Sequence, residues 1–160
     1  MRLVTAACLA AALAVALPGA STAQDAQARL WDASIAGDTA AIAQAVRDGA
    51  NVNSLDTRRA ANGRRALNWA ALYNHVPAIR ALLAAGASVD SSNHTGFTPL
   101  HHAAEAGALE AAEALLKARA NPKLLTLSGG TPAAVARARG FDAVAQLLEA
   151  AERGDRPKRS

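Results

Sequence analysis

The sequence predicts an all-α protein in which short helical units stack into a solenoid. Apolar residues make up 51% of the 160-residue chain and aromatic residues only 3%. The core must therefore consist mainly of alanine, leucine and valine. Alanine has the highest helix propensity, and its small side chain lets helices pack closely. The chain also has a sequence period of 33 residues, which is typical of stacked units that are not stable alone.

The first 23 residues have the features of a secretory signal peptide. Arg2 precedes an apolar run from Leu3 to Leu17, and the small residues Ser21 and Ala23 lie where a signal peptidase reads the chain. The run has 15 residues, whereas spanning a bilayer takes roughly 20. We therefore expect cleavage after Ala23, with residues 1–23 removed. The short, alanine-rich signal favours the bacterial periplasm as the destination, with secretion as the second choice.

Charge is distributed unevenly along the chain. The formal net charge is +4, but residues 24–152 contain 12 basic and 12 acidic side chains. Residues 153–160, "RGDRPKRS", form a basic tail with a net charge of +3, which we expect to be flexible. A neutral repeat region argues against a nucleic-acid-binding surface. The single cysteine, Cys8, lies in the predicted signal, so the processed chain must be stabilised by packing alone.

Three segments recur at the 33-residue spacing: "GRRALNWAALYN" from Gly63, "GFTPLHHAAEAG" from Gly96 and "GGTPAAVARARG" from Gly129. A partial earlier copy, "ARLWDASIAG", ends at Gly37. The copy from Gly96 has the complete pattern Gly-x-Thr-Pro-Leu-His-x-Ala-Ala-x-x-Gly. With this pattern the chain resembles the ankyrin repeat family over nearly all of its processed length.

The resemblance implies an ankyrin repeat solenoid of about four helix-turn-helix units joined by outward-pointing hairpin loops. Within a repeat domain of residues 24–152, we expect units at about 28–53, 54–89, 90–122 and 123–152. The first unit begins directly at a helix and should act as an N-terminal cap. The last has Arg137 and Glu149 where apolar residues are usual, which suits a C-terminal cap that faces water.

Each position of the motif has a physical reason. Thr98 can cap the first helix of its unit, and Pro99 suits the first turn, where a missing N–H costs nothing. Gly107 can adopt the left-handed conformation that ends this helix. The second helix then has apolar residues on one face at helical spacing: Leu109, Ala112, Leu115 and Leu116.

His101, His102 and Glu105 share one stretch of helix and so could in principle ligate a metal ion or act in catalysis. No further acidic or histidine cluster completes such a site. The family resemblance implies instead that His101 orders the hairpin loops by hydrogen bonding. At the position of His102 we expect a partly buried side chain. The processed chain also lacks a cysteine nucleophile, a phosphate loop and a nucleophile elbow. We therefore expect no catalytic, cofactor or metal site and no enzyme activity.

Two departures from the repeat pattern stand out. Arg119 occupies the position of Gly49 and Gly86, where a left-handed backbone would disfavour arginine. The hairpin after Asn53 is four residues longer than the next one, and its residues 54–65, "SLDTRRAANGRR", have a net charge of +3. We name residues 54–65 the arginine loop. It is either a tolerated surface insertion or a basic finger that docks on an acidic or anionic partner. Its last residue, Arg65, also replaces the capping threonine.

Ankyrin proteins bind partners through hairpin tips and the exposed side of the first helices, and the predicted contact residues follow from that resemblance. Tyr73 and Phe97 are expected to face solvent, whereas Trp31 and Trp69 are expected to pack between helices. The predicted partner-binding residues are Arg58, Arg59, Arg64, Leu72, Tyr73, His94, Phe97, Glu105 and Arg139, with Asn62, Thr95 and Leu127 beside them.

The sequence therefore predicts a monomeric, non-catalytic protein-interaction module in the periplasm, with another protein as its partner. The alternative is weak peripheral binding to an anionic surface, such as membrane lipid, through the arginine loop and the basic tail. Because exposed charge contacts are screened, such binding would fall steeply with salt.

Overall fold

A computed structural model describes residues 22–59, 61 and 63–155. Most of the predicted signal peptide, the end of the basic tail and Asn62 lie outside these residues. The described part contains eight helices and no strand beyond one isolated bridge, which confirms the all-α prediction. The helices are α1 (Ala23–Ala36), α2 (Thr39–Arg47), α3 (Ala66–Leu72), α4 (Val76–Ala84), α5 (Pro99–Ala106), α6 (Leu109–Lys117), α7 (Pro132–Ala138) and α8 (Asp142–Arg153).

The helices form two layers. Each odd-numbered helix packs on the even-numbered helix that follows it and on the odd-numbered helix of the next unit, and the even-numbered helices likewise pack on one another in sequence. We call α1, α3, α5 and α7 the inner layer and the others the outer layer. Hairpin loops connect one helix pair to the next. The predicted helix-turn-helix solenoid is confirmed.

Alanine and leucine fill the space between the layers. Small buried residues such as Ala70, Ala103 and Ala136 let neighbouring inner helices approach closely. The larger apolar side chains provide most of the burial, because each contributes about 1.5–3 kcal/mol when fully removed from water. The fully buried ones include Leu30, Leu67, Leu82, Leu100, Leu115 and Leu148.

The helix starts follow the motif. The Thr98 hydroxyl caps α5 by accepting from the His101 backbone N–H at 3.4 Å, and Thr131 caps α7 in the same way at 3.2 Å to Ala134. Arg65, at the start of α3, provides no such side-chain cap. The replacement of the capping threonine by Arg65 thus leaves α3 without the side-chain cap that α5 and α7 have.

The chain reverses through left-handed residues after the inner helices. Gly107 ends α5 with φ of 69°, and the Phe141 ring lies only 2.5 Å from where a Cβ would be placed on it. At the corresponding point after α3 stands Asn74, with φ of 58°. Arg119 is also left-handed, with φ of 72°, as its alignment with Gly49 and Gly86 predicts.

Asn74 has a second role that the sequence pattern does not reveal. Its Oδ1 accepts from the Ala111 backbone N–H at 2.8 Å, and its Nδ2 donates to Glu110 at 2.7 Å. The residue before α6, Ala108, provides no side-chain cap. Asn74 therefore caps α6 from the preceding unit.

The two ends of the solenoid carry polar groups. Arg137 on α7 is exposed and donates from Nε to Glu149 on α8 at 3.1 Å, as suits a terminal unit that faces water. At the other end, α1 begins at Ala23, earlier than the start near residue 28 expected for the first unit. Thr22 and Asp25 cap its first turn reciprocally: the Asp25 N–H donates to the Thr22 hydroxyl at 3.2 Å, and the Thr22 N–H donates to the Asp25 carboxylate at 3.1 Å.

Candidate protein-binding face

The arginine loop is ordered around one buried carboxylate. Asp56 and Arg64 exchange two backbone hydrogen bonds, of 2.6 and 3.1 Å, which close the base of the loop. The Asp56 side chain is fully buried and accepts from the Arg58 backbone N–H at 3.1 Å and from Arg58 Nε at 2.9 Å. The Asp56 carboxylate also raises the pKa of Arg58. Asp56 therefore fixes Arg58 and Arg64, two of the described arginines of the loop.

Two arginines of this loop lie on the two tryptophans of the inner layer. The Arg58 guanidinium lies 4.8 Å from the centre of the Trp31 ring, and that of Arg64 lies 4.6 Å from the Trp69 ring. Such cation–π contacts contribute about 0.5–1 kcal/mol each at exposed sites. Trp69 is buried and Trp31 half-buried, so both pack against the inner layer as expected.

Arg58 and Arg59 share a second carboxylate. Both donate to the same oxygen of Asp32 on α1, at 3.2 and 3.1 Å. The loop is thus held to α1 by ion pairs and to α3 by the Arg64–Trp69 contact. It joins the first two units on one face of the molecule.

Glu105 joins α5 to α7. It accepts from His102 Nδ1 at 3.3 Å and from Arg139 Nη2 at 2.8 Å. The hydrogen bond from His102, followed by the nearby charges of Arg139 and Arg64, lowers the pKa of Glu105. The structure therefore brings together three predicted contact residues, Arg64, Glu105 and Arg139, from the loop and two inner helices.

His102 is more buried than expected. Only 1% of the residue is exposed, and burial lowers its pKa, so the ring is neutral and donates from Nδ1 to Glu105. Among the described residues its Nε2 has no hydrogen-bond partner. The buried His102 ring thus holds the Glu105 carboxylate in place through this hydrogen bond.

His101 orders the hairpins, as predicted. Its Nδ1 accepts from the Thr98 backbone N–H at 3.2 Å, and its Nε2 donates to the Gly130 carbonyl of the next hairpin at 3.1 Å. Burial lowers the pKa of this ring as well. Asn68, one unit earlier, makes the same pair of contacts, accepting from Arg65 N–H at 2.9 Å and donating to the Phe97 carbonyl at 3.5 Å. The sequence pattern did not single out Asn68.

Phe97 differs from the expectation. It is half-buried, with its ring centre 5.4 Å from those of both His101 and His102, because its hairpin places the ring over α5. Tyr73 does face solvent: it is 49% exposed and stacks between Trp69 and His75.

The sequence pattern of the family described as ankyrin repeats, in 3 copies, matches residues 30–126. The chain belongs to the ankyrin repeat family. Members of this family generally mediate protein–protein interaction and are typically non-catalytic.

Three similar proteins each match part of this chain. Tyrosine-protein kinase Shark of Drosophila melanogaster is 36% identical over 126 residues, which are 78% of this chain but 13% of that kinase. Tyrosine-protein kinase HTK16 of Hydra vulgaris is 33% identical over 98 residues, 60% of this chain and 12% of the kinase. Putative ankyrin repeat protein YahD of Escherichia coli (strain K12) is 40% identical over 83 residues, 48% of this chain and 41% of YahD. The chain thus spans only a small part of the kinases and less than half of YahD.

The remaining predicted contacts lie on the ankyrin hairpins and at the end of α3. His94 is exposed on the hairpin before α5, and Leu72 is half-buried. Leu127 is 81% exposed, and its backbone N–H donates to the Thr95 carbonyl at 3.0 Å, which links two successive hairpins. Leu125, also exposed, was not predicted as a contact residue, although its position in the last hairpin would have indicated an exposed side chain.

Within residues 22–155, apart from the two undescribed loop positions, no group of three or more histidine, cysteine or acidic side chains could hold a metal ion. His101 bonds Thr98 and the Gly130 carbonyl, and His102 bonds Glu105. None of the helices in the described ranges is long and apolar enough to cross a membrane.

Proposed function

We propose that this ankyrin repeat protein is a non-catalytic module that binds another protein in the periplasm, as a monomer. The partner would contact the hairpin tips and the concave side of the inner helices. The observation that carries this proposal is the joining of the arginine loop, α3, α5 and α7 by side-chain contacts: Arg64 lies on Trp69, and Glu105 bonds Arg139. A surface held in place before binding loses little conformational entropy when it binds.

The test of the binding face is capture of a partner from periplasmic extract by the tagged protein. The face variant replaces Arg59, Tyr73 and Arg139 with alanine, because all three are exposed and none contacts the buried Asp56. The matched control replaces Arg47 and Arg80 with alanine, because both are exposed on the outer layer. We expect the control to retain the partner and the face variant to lose it. Equal capture by both variants would reject this face.

The periplasmic location rests on the features of residues 1–23. It is tested by expressing the full chain in a Gram-negative host, fractionating the cells and determining the N-terminus by mass spectrometry. We expect a processed chain in the periplasmic fraction. An unprocessed chain in the cytosol would contradict the proposed location and leave the binding face to be tested separately.

Peripheral binding to an anionic surface remains the second candidate because the arginine loop and residues 153–160 are both basic. Part of the positive charge of the loop is offset, since Asp32 and Asp56 pair with Arg58 and Arg59. Phosphatidylglycerol vesicles provide the test. Binding that falls with salt and disappears on removal of residues 153–160 would favour this candidate.

A further inference from the structure

We propose that the face carrying Arg59, Arg64 and Arg139 binds an acidic, extended segment of the partner protein, whose carboxylates pair with these three arginines. This inference rests on the proposed function, because it specifies the chemistry of the partner at the same face. Arg59 and Arg64 belong to the described part of the arginine loop, and Arg139 follows α7 directly.

The charges along this face favour a partner with negative charge. The described residues here include Arg58, Arg59, Arg64, Arg65 and Arg139 against Asp32, Asp56 and Glu105. Asp56 is fully buried, and the Glu105 side chain is only 23% exposed beneath Arg139, whose own side chain is 57% exposed. An approaching chain therefore meets more arginine than carboxylate.

The arginines are also held in orientations that suit carboxylates. Asp56 and Trp31 fix Arg58, which in turn shares Asp32 with Arg59. The Arg64 guanidinium lies over the Trp69 ring, 4.6 Å from its centre. A guanidinium stacked on an aromatic ring keeps its N–H edge available for two parallel hydrogen bonds to a carboxylate. Because these groups are already positioned, a partner would lose little entropy in ordering them.

Unpaired hydrogen-bond donors provide independent support. Three buried N–H groups of this region, Arg64 Nε, Arg65 Nε and Trp69 Nε1, have no hydrogen-bond partner among the described residues. Trp69 is only 4% exposed. Buried donors are rarely left unsatisfied in native proteins. All three are donors, so the group that would satisfy them is an acceptor, such as a carboxylate or a carbonyl.

The placement of these groups favours a polypeptide over a membrane. Arg58 and Arg64 lie against the tryptophans of the inner layer, whereas a flat bilayer contacts charges that protrude. An extended peptide can bring its side chains to such partly recessed groups one by one. Binding to acidic lipid is therefore an alternative that the experiment tests.

The experiment is titration of the protein with synthetic hexaglutamate at low ionic strength, followed by intrinsic fluorescence. The chain contains two tryptophans, and both lie under arginines of the loop, so their emission reports on this site. The test variant is Arg59→Gln with Arg64→Gln, which leaves the Arg58–Asp56 pair intact. The matched control, Arg47→Gln with Arg80→Gln, removes the same charge from the outer layer. Thermal unfolding establishes that both variants are folded.

We expect hexaglutamate to bind the parent protein and the control equally, and the test variant at least about tenfold more weakly, since charged hydrogen bonds are lost. Hexaglutamine should not bind. Equal weakening in both variants, or no binding of hexaglutamate to the parent, would overturn the inference. So would binding of phosphatidylglycerol vesicles that depends on Arg59 and Arg64 while hexaglutamate does not bind. If the protein captures its partner through the face but does not bind hexaglutamate, only this inference is contradicted, and the proposed function stands.

Discussion

The buried histidines make stability depend on pH. Burial lowers the pKa of both His101 and His102 from the ordinary value of 6.5, so the folded chain holds them neutral while the unfolded chain takes up protons. Their contribution to stability is complete above about pH 6.5 and is lost as the pH falls below it. Each unit of pH in that window costs up to about 1.4 kcal/mol per histidine.

This effect is measured by urea unfolding at about pH 7.5 and about pH 5.5, where most carboxylates stay ionised. We expect a lower unfolding free energy at the lower pH. His102→Val, which places the residue of the next unit at this position, should reduce the difference because only His101 then contributes. Equal or greater stability of the parent at the lower pH would contradict the assignment of neutral, buried rings.

Arg119 is an unfavourable residue for its backbone conformation. It is exposed and left-handed, and the equivalent residues Gly49 and Gly86 have similar φ angles, of 94° and 91°. Arg119→Gly should raise the unfolding free energy by about 1 kcal/mol, since glycine adopts this conformation without a steric penalty. The reverse change, Gly86→Arg, should lower it by a similar amount. Denaturant midpoints measure both, and a stabilising Gly86→Arg would refute the explanation.

At the scale of the element, the cap of α6 depends on a residue of the preceding unit. Asn74→Gly keeps a residue that tolerates the left-handed backbone but removes the hydrogen bonds to Ala111 and Glu110. We expect a loss of about 1 kcal/mol, as for other helix caps. Thermal unfolding, with amide exchange at the first turn of α6, measures it. Unchanged exchange there would show that the cap contributes nothing.

Helix pairs were predictable because the 33-residue period and the Thr-Pro-Leu-His motif encode contacts within one unit. The roles of Asn68 and Asn74 were not, since each side chain bonds to a neighbouring unit. The burial of Phe97 was missed for the same reason: its ring position depends on how the hairpin lies over α5. The early start of α1 was not predicted, because Thr22 and Asp25 lie outside the repeated pattern.

The candidate face shows the same limit. Arginine composition and loop length identified Arg58, Arg59 and Arg64, but not their stacking on Trp31 and Trp69, which depends on the relative positions of two units. Nor did the sequence predict the burial of Asp56, because an aspartate in an arginine-rich hairpin loop is usually a solvated side chain.

At the scale of the whole molecule, each unit is supported only by its neighbours. Among the described helices, the pairs α3–α4 and α5–α6 pack on a neighbouring pair on both sides. The pairs α1–α2 and α7–α8 pack on a neighbouring pair on one side. We therefore expect amide hydrogen exchange under native conditions to be slowest in α3 to α6 and faster in the terminal pairs, as in other repeat arrays. Uniform exchange rates along all eight described helices would indicate a single cooperative unit instead.

The reciprocal bonds between Thr22 and Asp25 bear on the leader cleavage that we propose. Because α1 extends back to Ala23, the peptide bond after that residue lies in a helical turn, whereas a protease binds its substrate in an extended conformation. If the leader is removed after Ala23, removal precedes the folding of α1, and the processed helix then begins without the Thr22 cap and with a charged amino group at its positive end. Leader cleavage and formation of the first helical turn would thus compete for residues 22–25.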